Sequence, residues 1–284
     1  TWDEGYREDS VAITDEDLVG LVPRLLHSVT NVTTFILVGD DSLVTNIEPL
    51  SQLVQLKKLH LKLNNQSGEL ADIVPLAALT NLTELSIGYN WFDKYHCFNG
   101  DVEPLSGLTN LTILNLVENN IVEVSPLSGL TNLTKLNLCH NRIIEVSPLS
   151  ALTNLTELNL NGRTWATNQI VDVRSLSVLT NLTQLYLNNN QIVDATALSS
   201  LVNLTQLELR GNPIIHSLEL RNNSSIRGNT TAFKTVFNHV KTYEGFRLNF
   251  APVILQDEQR SIETKGETKG ETKGDDSTPP LAEQ

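Results

Sequence analysis

The sequence predicts an elongated solenoid of the α/β class, with a curved parallel β-sheet on its concave face and short 3₁₀ or turn segments on its convex side. Three observations lead to this prediction. The phrase LTNLTxLxLxxNxI returns along the chain, and the copies that begin at Leu108 and Leu130 are each followed by the next copy after 22 residues. Leucines alternate within the phrase, and an Asn closes it. A fixed period in the twenties is typical of stacked repeats that bury their apolar faces against one another.

Each repeat is predicted to contain one short strand. Leucines at alternate positions place their side chains on one face of a strand, and successive strands stack in parallel at about 4.8 Å. The spacing L-x-x-L-x-L, with an Asn three residues later, is the signature of an α/β leucine-rich-repeat solenoid. Aligned on this spacing, eight copies start at Val32, Leu56, Leu82, Leu111, Leu133, Leu155, Leu182 and Leu204.

The closing Asn is expected to turn inward and to bond backbone groups that the bend leaves unpaired. These residues are Asn64, Asn90, Asn119, Asn141, Asn168, Asn190 and Asn212. An isoleucine two residues later is expected to fill the next apolar layer, as at Ile121, Ile143, Ile170, Ile192 and Ile214. Pro-Leu pairs such as Pro126-Leu127 then mark the return leg, where proline favours tight turns or short 3₁₀ pieces.

The ends of a solenoid need caps, because terminal repeats lack a neighbour on one side. We assign residues 1–28 to an N-terminal segment and helical cap, 29–212 to the repeats, 213–255 to a C-terminal cap and 256–284 to a disordered acidic tail or linker. Residues 14–17 resemble a capping box. Apolar residues follow at helical spacing, and Pro23 predicts a kink or two short helices. These apolar residues are Leu18, Leu21, Val22, Leu25 and Leu26.

Composition excludes several classes of protein. The net charge of −13 includes −6 in residues 1–20 and −4 in residues 256–284, which leaves −3 for the repeats. Nothing resembles the basic footprint of a nucleic-acid-binding protein, and no apolar stretch is long enough to span a bilayer. Cys97 and Cys139 do not form a disulfide framework. We expect a monomer, and because the chain begins at Thr1 and has no methionine, a fragment or processed product.

Sequons of the form N-x-S/T are abundant, and six of them belong to the repeated N-L-T phrase. Glycans on neighbouring repeats would be only about 4.8 Å apart, which is too crowded for all of them to be occupied. We therefore predict that the N-L-T phrase is structural. This interpretation favours a bacterial or cytosolic origin, where sequons are silent.

The LTNLTxLxLxxNxI phrase with Pro-Leu on the return leg resembles the internalin-type repeats of bacterial surface proteins. It also resembles the related 22-residue repeats of an intracellular phosphatase regulator. The resemblance covers roughly residues 29–215. It implies a non-enzymatic module that binds a protein partner and is secreted or exposed on a bacterial surface, as in adhesion or host interaction. The alternative is a cytosolic scaffold or regulatory subunit that binds an enzyme such as a phosphatase.

Three repeats carry insertions directly after their strands, and we expect these loops to emerge on the same rim. The repeat from Leu79 to Leu108 has 29 residues, and its insertion contains several aromatic side chains. The repeat from Leu152 to Leu179 has 27 residues and contains Arg163 and Trp165. Aromatic residues and Arg are typical of interface anchors. Inward packing of Trp91 and Phe92 as local core is the alternative.

We predict that the concave face and two rim loops hold the partner. The Asn residues at positions 115, 137 and 159 are expected to form a side-chain ladder, with simple solvation as the alternative. The predicted contact residues are Trp91, Tyr95, Asn115, Val117, Lys135, Asn137, His140, Asn159, Arg163, Trp165, Tyr186 and Asn188.

An enzyme is not predicted. Cys139 and His140 are adjacent, but neighbouring strand residues point apart, and no third group is expected to orient His140. We also predict no cofactor and no metal site, since the acidic, His and Cys residues of the first aromatic loop match no established ligand spacing.

Overall fold

The computed structural model describes residues 14–28, 33–39, 44–63, 72–88, 98–163 and 168–214. Within these residues, eight strands form one parallel sheet in which each strand lies beside its neighbour in sequence. Every repeat contributes one strand, so the predicted fold class is confirmed. The strands are β1 Thr34–Gly39, β2 Lys58–Leu63, β3 Glu84–Gly88, β4 Ile113–Asn115, β5 Lys135–Asn137, β6 Glu157–Asn159, β7 Gln184–Tyr186 and β8 Gln206–Glu208.

The inward residues of successive repeats form continuous apolar layers. The register pairs Leu114 with Leu136 and Leu136 with Leu158, and all three side chains are fully buried. The isoleucines that follow the inward Asn are buried too, as predicted for the next layer. Full burial of one such side chain contributes about 1.5–3 kcal/mol, and each repeat obtains it only from its neighbours.

Each inward Asn in the described part of the chain bonds the backbone of the repeat before it. The Asn141 Oδ1 accepts the N–H groups of Asn119 and Ile121, both at 3.0 Å. Its Nδ2 donates to the carbonyls of Leu116 at 2.8 Å and Leu138 at 3.0 Å. Asn141 is 1% exposed, so water cannot replace these bonds. Equivalent bonds to the preceding repeat are made by Asn168, Asn190 and Asn212.

The N-L-T phrase also joins neighbouring repeats. The Asn132 Nδ2 donates to the Thr109 carbonyl at 2.9 Å, and the Thr134 hydroxyl donates to the Thr112 carbonyl at 3.0 Å. The prediction that this phrase is structural is confirmed. The same amide bond to the preceding repeat recurs at Asn81, Asn110, Asn154, Asn181 and Asn203.

The return legs of the first seven repeats are short 3₁₀ helices, as predicted. In six of them an oxygen-bearing side chain two residues before the helix accepts the N–H of the first helical residue; for example, Asp101 Oδ1 accepts that of Glu103 at 3.0 Å. This bond satisfies a backbone donor that has no partner within the helix. The 3₁₀ helices are Glu48–Gln52, Val74–Ala78, Glu103–Leu105, Ser125–Gly129, Ser147–Ala151, Arg174–Val178 and Thr196–Ser200.

Helix α1, Asp15–Ser28, precedes the sheet and begins with the predicted capping box. The Asp17 N–H donates to the Thr14 hydroxyl at 3.3 Å, and the Thr14 N–H donates to the Asp17 carboxylate at 2.8 Å. The Asp15 carboxylate accepts the Thr45 N–H at 2.9 Å, which ties the helix to the first repeat.

Pro23 does not divide α1, so of the two predicted alternatives, a kink or two short helices, the second is wrong. Leu18 and Val22 face the core, whereas Pro23 lies on the exposed side of the helix. Proline has no N–H, so Pro23 cannot donate a hydrogen bond to the carbonyl of Val19. Val19 is 60% exposed, and water can therefore bond this carbonyl. Leu26, expected in the apolar stripe, is 44% exposed.

Several predictions concern residues outside the described ranges. These predictions concern the N-terminal segment 1–13, the C-terminal cap 213–255 beyond residue 214, the tail 256–284, and the inward Asn64 and Asn90. These assignments remain predictions.

Replacement of Asn141 by Ala should lower the free energy of unfolding by about 3–5 kcal/mol, because several buried backbone groups lose their partners together. Urea unfolding followed by circular dichroism measures this change. The matched control is Asn132→Ala, which removes one bond at an exposed position and should cost about 1 kcal/mol. Equal losses in the two variants would contradict the coupling role of the inward Asn.

Candidate functional site

The outward side chains of the strands form columns across the sheet, and we call this surface the sheet face. Register places Asn115, Asn137, Asn159 and Tyr186 at equivalent positions of β4 to β7. Lys135 lies in the adjacent column, between Ile113 and Glu157. These positions lie on one surface, as the alternation of the strands predicts.

The three aligned Asn residues do not bond one another through their oxygens. The Asn115 Oδ1 accepts the N–H of Val117 at 3.3 Å, and the Asn137 Oδ1 accepts that of Cys139 at 3.1 Å. Asn159 repeats this bond with the N–H two residues after it, at 3.1 Å. The prediction that these Asn side chains bond one another in a ladder is therefore wrong. Each side-chain oxygen instead accepts a backbone N–H two residues later and closes a turn at the end of its own strand.

Charges on the sheet face are paired between neighbouring strands. Glu84 on β3 lies 2.9 Å from Lys58 Nζ and 2.9 Å from His60 Nε2, both on β2. Burial raises the pKa of Glu84, but the bonds to Lys58 and His60 outweigh it and hold the pKa below its usual range. Lys135 pairs with Glu157 at 3.0 Å across β5 and β6. Because these glutamates are paired with basic residues, the sheet face carries charged groups of both signs but little net charge.

Tyr186 is the aromatic residue at the centre of a polar network on β7 and β8. Its hydroxyl lies 2.7 Å from Gln184 Oε1 and 3.2 Å from Gln206 Oε1. Burial, together with the charges of glutamates on the adjacent strands, raises the pKa of Tyr186, so the hydroxyl stays protonated. The Asn188 Nδ2 donates to the Glu208 carboxylate at 2.6 Å. Both predicted contact residues are therefore held in fixed orientations.

Glu118, His140 and Arg163 come from three successive repeats and meet just beyond the C-terminal ends of β4 to β6. His140 Nδ1 lies 3.2 Å from Glu118 Oε1, and the Arg163 guanidinium donates to the same oxygen. Burial raises the pKa of Glu118, but the bond to His140 and the charge of Arg163 outweigh it and hold the pKa below its usual range. The prediction that no third group orients His140 is wrong, because Glu118 lies 22 residues away in sequence but one repeat away in space.

The backbone at this cluster is in the left-handed region. Glu118, His140 and Asn189 have φ angles of 60°, 59° and 54°, and Gly211 occupies the equivalent position of the last repeat with φ of 75°. Non-glycine residues rarely adopt this conformation, and such strain concentrates at functional sites. A left-handed backbone at the residue before the inward Asn was not predicted from the sequence. Asn189 and Gly211 occupy this position in the last two repeats, and Asn and Gly are the residues that adopt the left-handed conformation most readily.

Val117 is partly covered by the end of β3. A Cβ added to Gly88 would lie 2.7 Å from Val117 Cγ1 and 2.9 Å from the Val117 carbonyl oxygen. Glycine at this position therefore lets neighbouring repeats approach closely. Val117 is a predicted contact residue, but it is only partly exposed, so a partner could reach only part of its side chain.

Cys139 is buried and carries a free thiol. Burial, reinforced by the charge of Glu118, raises the pKa of Cys139 to about 12. A protonated, inaccessible thiol is a poor nucleophile. Cys139 and His140 therefore do not form a nucleophile and base in this arrangement.

Three predicted contact residues, Trp91, Tyr95 and Trp165, lie outside the described residues. The described chain stops at Gly88 and Arg163, on the edge where the strands end, and resumes at Phe98 and Asn168. Phe98, an aromatic residue of the first insertion, is fully buried. In the described part of the chain, no group of three or more His, Cys, Asp and Glu residues is arranged to hold a metal ion. None of the described helices has the length and apolar character needed to cross a membrane.

Comparison with known proteins finds leucine-rich repeats. A family model for two copies of leucine-rich repeats matches residues 131–179 and 180–223. Internalin C2 of Listeria monocytogenes is 34% identical over 69% of this chain and 74% of that chain, with a TM-score of 0.54. Internalin F of the same organism is 27% identical over 74% and 72% of the two chains, with a TM-score of 0.53.

A plant structure shares the fold. The leucine-rich-repeat ectodomain of the Arabidopsis thaliana receptor kinase GASSHO1/SCHENGEN3, solved in complex with Casparian strip integrity factor 2, has a TM-score of 0.57. It is 19% identical, and the match covers 75% of this chain and 24% of that one. No curated protein sequence matches the chain.

Replacement of Glu118 by Gln should destabilise the protein at neutral pH, with a loss that depends on pH. The folded pKa of Glu118 lies below the ordinary value of 4.5, so its stabilisation is present above that value and disappears as the pH falls through the folded pKa. We expect the difference in urea midpoint between wild type and variant to shrink on acidification below about pH 4.5. Glu123→Gln, at an exposed glutamate of the same repeat, is the control. A difference that stays constant with pH would refute the ionised pairing.

Cys139 should resist alkylation in the folded protein. With a pKa of about 12, only about one thiol in ten thousand is ionised at pH 8, and burial excludes the reagent. We expect iodoacetamide to leave the Cys139 peptide unmodified in buffer and to modify it in concentrated urea, as measured by mass spectrometry. Equal rates in both conditions would show that the thiol is accessible.

Proposed function

This chain belongs to the internalin-like family of leucine-rich-repeat proteins, and from that premise we propose that it is a non-enzymatic module that binds a protein partner through its sheet face. Leucine-rich-repeat proteins generally mediate protein–protein interactions. The observation that carries the proposal is that outward side chains align across eight parallel strands and that several of them are bonded between adjacent strands. Side chains that are already ordered lose little entropy when a partner binds.

The contact surface runs from β3 to β7 and includes the two rim loops. Tyr186 supplies an aromatic anchor, and Lys135 supplies a charged group whose pairing with Glu157 fixes its direction. Tyr, Trp and Arg side chains dominate the binding energy of typical interfaces, and a charged group such as Lys135 adds specificity. Asn115, Asn159, Asn188 and the partly exposed Val117 complete the surface, with His140 and Arg163 at its rim. The predicted contact residue Asn137 is only 5% exposed and adds little to the surface. Trp91, Tyr95 and Trp165 belong to the proposal as residues of the rim loops.

A location outside the bacterial cell, secreted or on the surface, is part of the proposal. It is supported by the internalin-type repeats and by the likeness to two Listeria internalins. We further propose that the chain acts as a monomer, because a second copy on the sheet face would occupy the surface that the partner needs.

The test compares the wild-type chain with a Tyr186→Ala, Lys135→Ala double variant. Each protein is used as bait in host-cell and bacterial extracts, and a captured protein is then purified and its affinity measured. We expect the double variant to bind at least about tenfold more weakly, because it loses two anchors at the centre of the surface.

The matched control is Val178→Ala, Val202→Ala, at two exposed valines on the side of the 3₁₀ helices, where they are 51% and 54% exposed. Wild-type affinity in this control, together with weak binding by the double variant, supports the sheet face. Equal affinities in all three proteins would move the contact to another surface and overturn the proposal.

A further inference from the structure

A second surface of the repeats carries an aligned pattern that the proposed function does not use. Between each inward Asn and the next 3₁₀ helix, the chain runs along one side of the solenoid. We call this surface the descending flank, residues 120–124, 142–146, 169–173 and 191–195. Backbone N–H groups of Arg142 and Gln169 donate to the carbonyls of Ile121 and Ile143, both at 2.8 Å, so the segments lie side by side.

In three successive repeats, one exposed aliphatic residue lies on this flank, and the equivalent Val193 of the next repeat is only partly exposed. Val122, Ile144 and Val171 are 46%, 56% and 49% exposed. Each directly follows the isoleucine that fills the core, so the apolar layer is complete without it. Neighbouring rungs of such a solenoid are about 4.8 Å apart, which brings the exposed side chains into one stripe. The packing of the repeats does not account for apolar side chains at these positions.

A row of acids lies beside the stripe. Most of these acids accept the first N–H of the next 3₁₀ helix, as Glu145 does with Ser147 at 2.8 Å. This role requires an oxygen but no charge, because Asn46 performs it for Glu48 at the same distance in the first repeat. The fold therefore does not explain why the row is charged. Its exposed members are Asp101, Glu123, Glu145, Asp172 and Asp194.

One basic residue offsets part of the charge at one end of the row. Arg174 lies 2.5 Å from Asp172, and its hydrogen bond to Asp172, together with the charges of Asp172 and Asp194, raises the pKa of Arg174, so Asp172 is paired there. The opposite end contains Glu123 and Glu145, preceded by Asp101 and Glu103 of the repeat before the flank, and Arg142 is the one base on the described segments 120–124 and 142–146. This half of the flank is therefore apolar and negatively charged.

We propose that the descending flank is a second docking surface, separate from the sheet face, for a partner segment that combines aliphatic side chains with Lys or Arg. A second copy of this chain fits poorly, because two acidic rows would face each other. Nucleic acids and anionic membranes are repelled for the same reason. A cationic, aliphatic segment complements both rows at once, with its apolar side chains on the stripe and its bases on the acids.

The probe is a synthetic peptide of about twelve alternating lysine and leucine residues, which is long enough to cross four rungs. Its affinity for the intact chain is measured by calorimetry. Replacement of the stripe by Val122→Ser, Ile144→Ser and Val171→Ser should weaken binding about tenfold, because the leucines lose their apolar contacts. The matched control, Val54→Ser, Val178→Ser and Val202→Ser, changes three equally exposed valines elsewhere and should leave the affinity unchanged.

Two further measurements separate this proposal from simpler explanations. A lysine–serine peptide of the same length should bind clearly more weakly, and equal binding would show that charge alone is responsible. The Tyr186→Ala, Lys135→Ala variant should bind the lysine–leucine peptide as wild type does, because it alters only the sheet face. Peptide binding that is lost in this variant, or is unchanged in the stripe variant, would overturn the flank as a docking surface. Both outcomes are independent of whether the sheet face binds its own partner.

Discussion

The amide side chain of the inward Asn is the interaction on which the rest of this structure depends. It faces a buried bend where backbone donors and acceptors of two repeats would otherwise lack partners. Asn141 satisfies groups of both repeats at once: its oxygen accepts two N–H groups of the preceding repeat, and its nitrogen donates to one carbonyl of the preceding repeat and one of its own. Because an amide carries both donors and an acceptor without charge, no other small side chain fills this place equally well.

This coupling fixes the interior and leaves the outer surfaces free to differ. The core needs leucine or isoleucine at set positions, whereas the outward residues of the strands and flank do not fill the core. Similar side chains therefore line up in rows: polar amides on the sheet face, aliphatic residues on the descending flank and acids beside them. A solenoid converts a repeated sequence position into an extended surface, and partners recognise such surfaces.

The cluster of Glu118, His140 and Arg163 shows how ion pairs between repeats can hold outward residues in an unfavourable backbone conformation. The left-handed backbone at Glu118 and His140 is unfavourable for residues with a Cβ, and the last repeat uses glycine there. The ion pairs across three repeats hold these residues in place at the edge where the insertions leave the strands. The surrounding contacts thus stabilise a strained conformation next to the segments whose sequences differ most between repeats.

The sequence by itself determined the number of rungs, the inward residues, the 3₁₀ return legs and the surface on which most predicted contact residues lie. It could do so because period and alternation fix which residues point inward. Only the tertiary structure decided how outward side chains pair, since bonding between rungs joins residues such as Glu118 and Arg163 that lie 45 positions apart. It also decided that Asn115 and Asn137 cap their own strands, that Pro23 is accommodated within a single helix, and that Glu118 orients His140. Each outcome depends on distances of a few ångströms between neighbouring backbones, which the spacing of residues in a sequence does not contain.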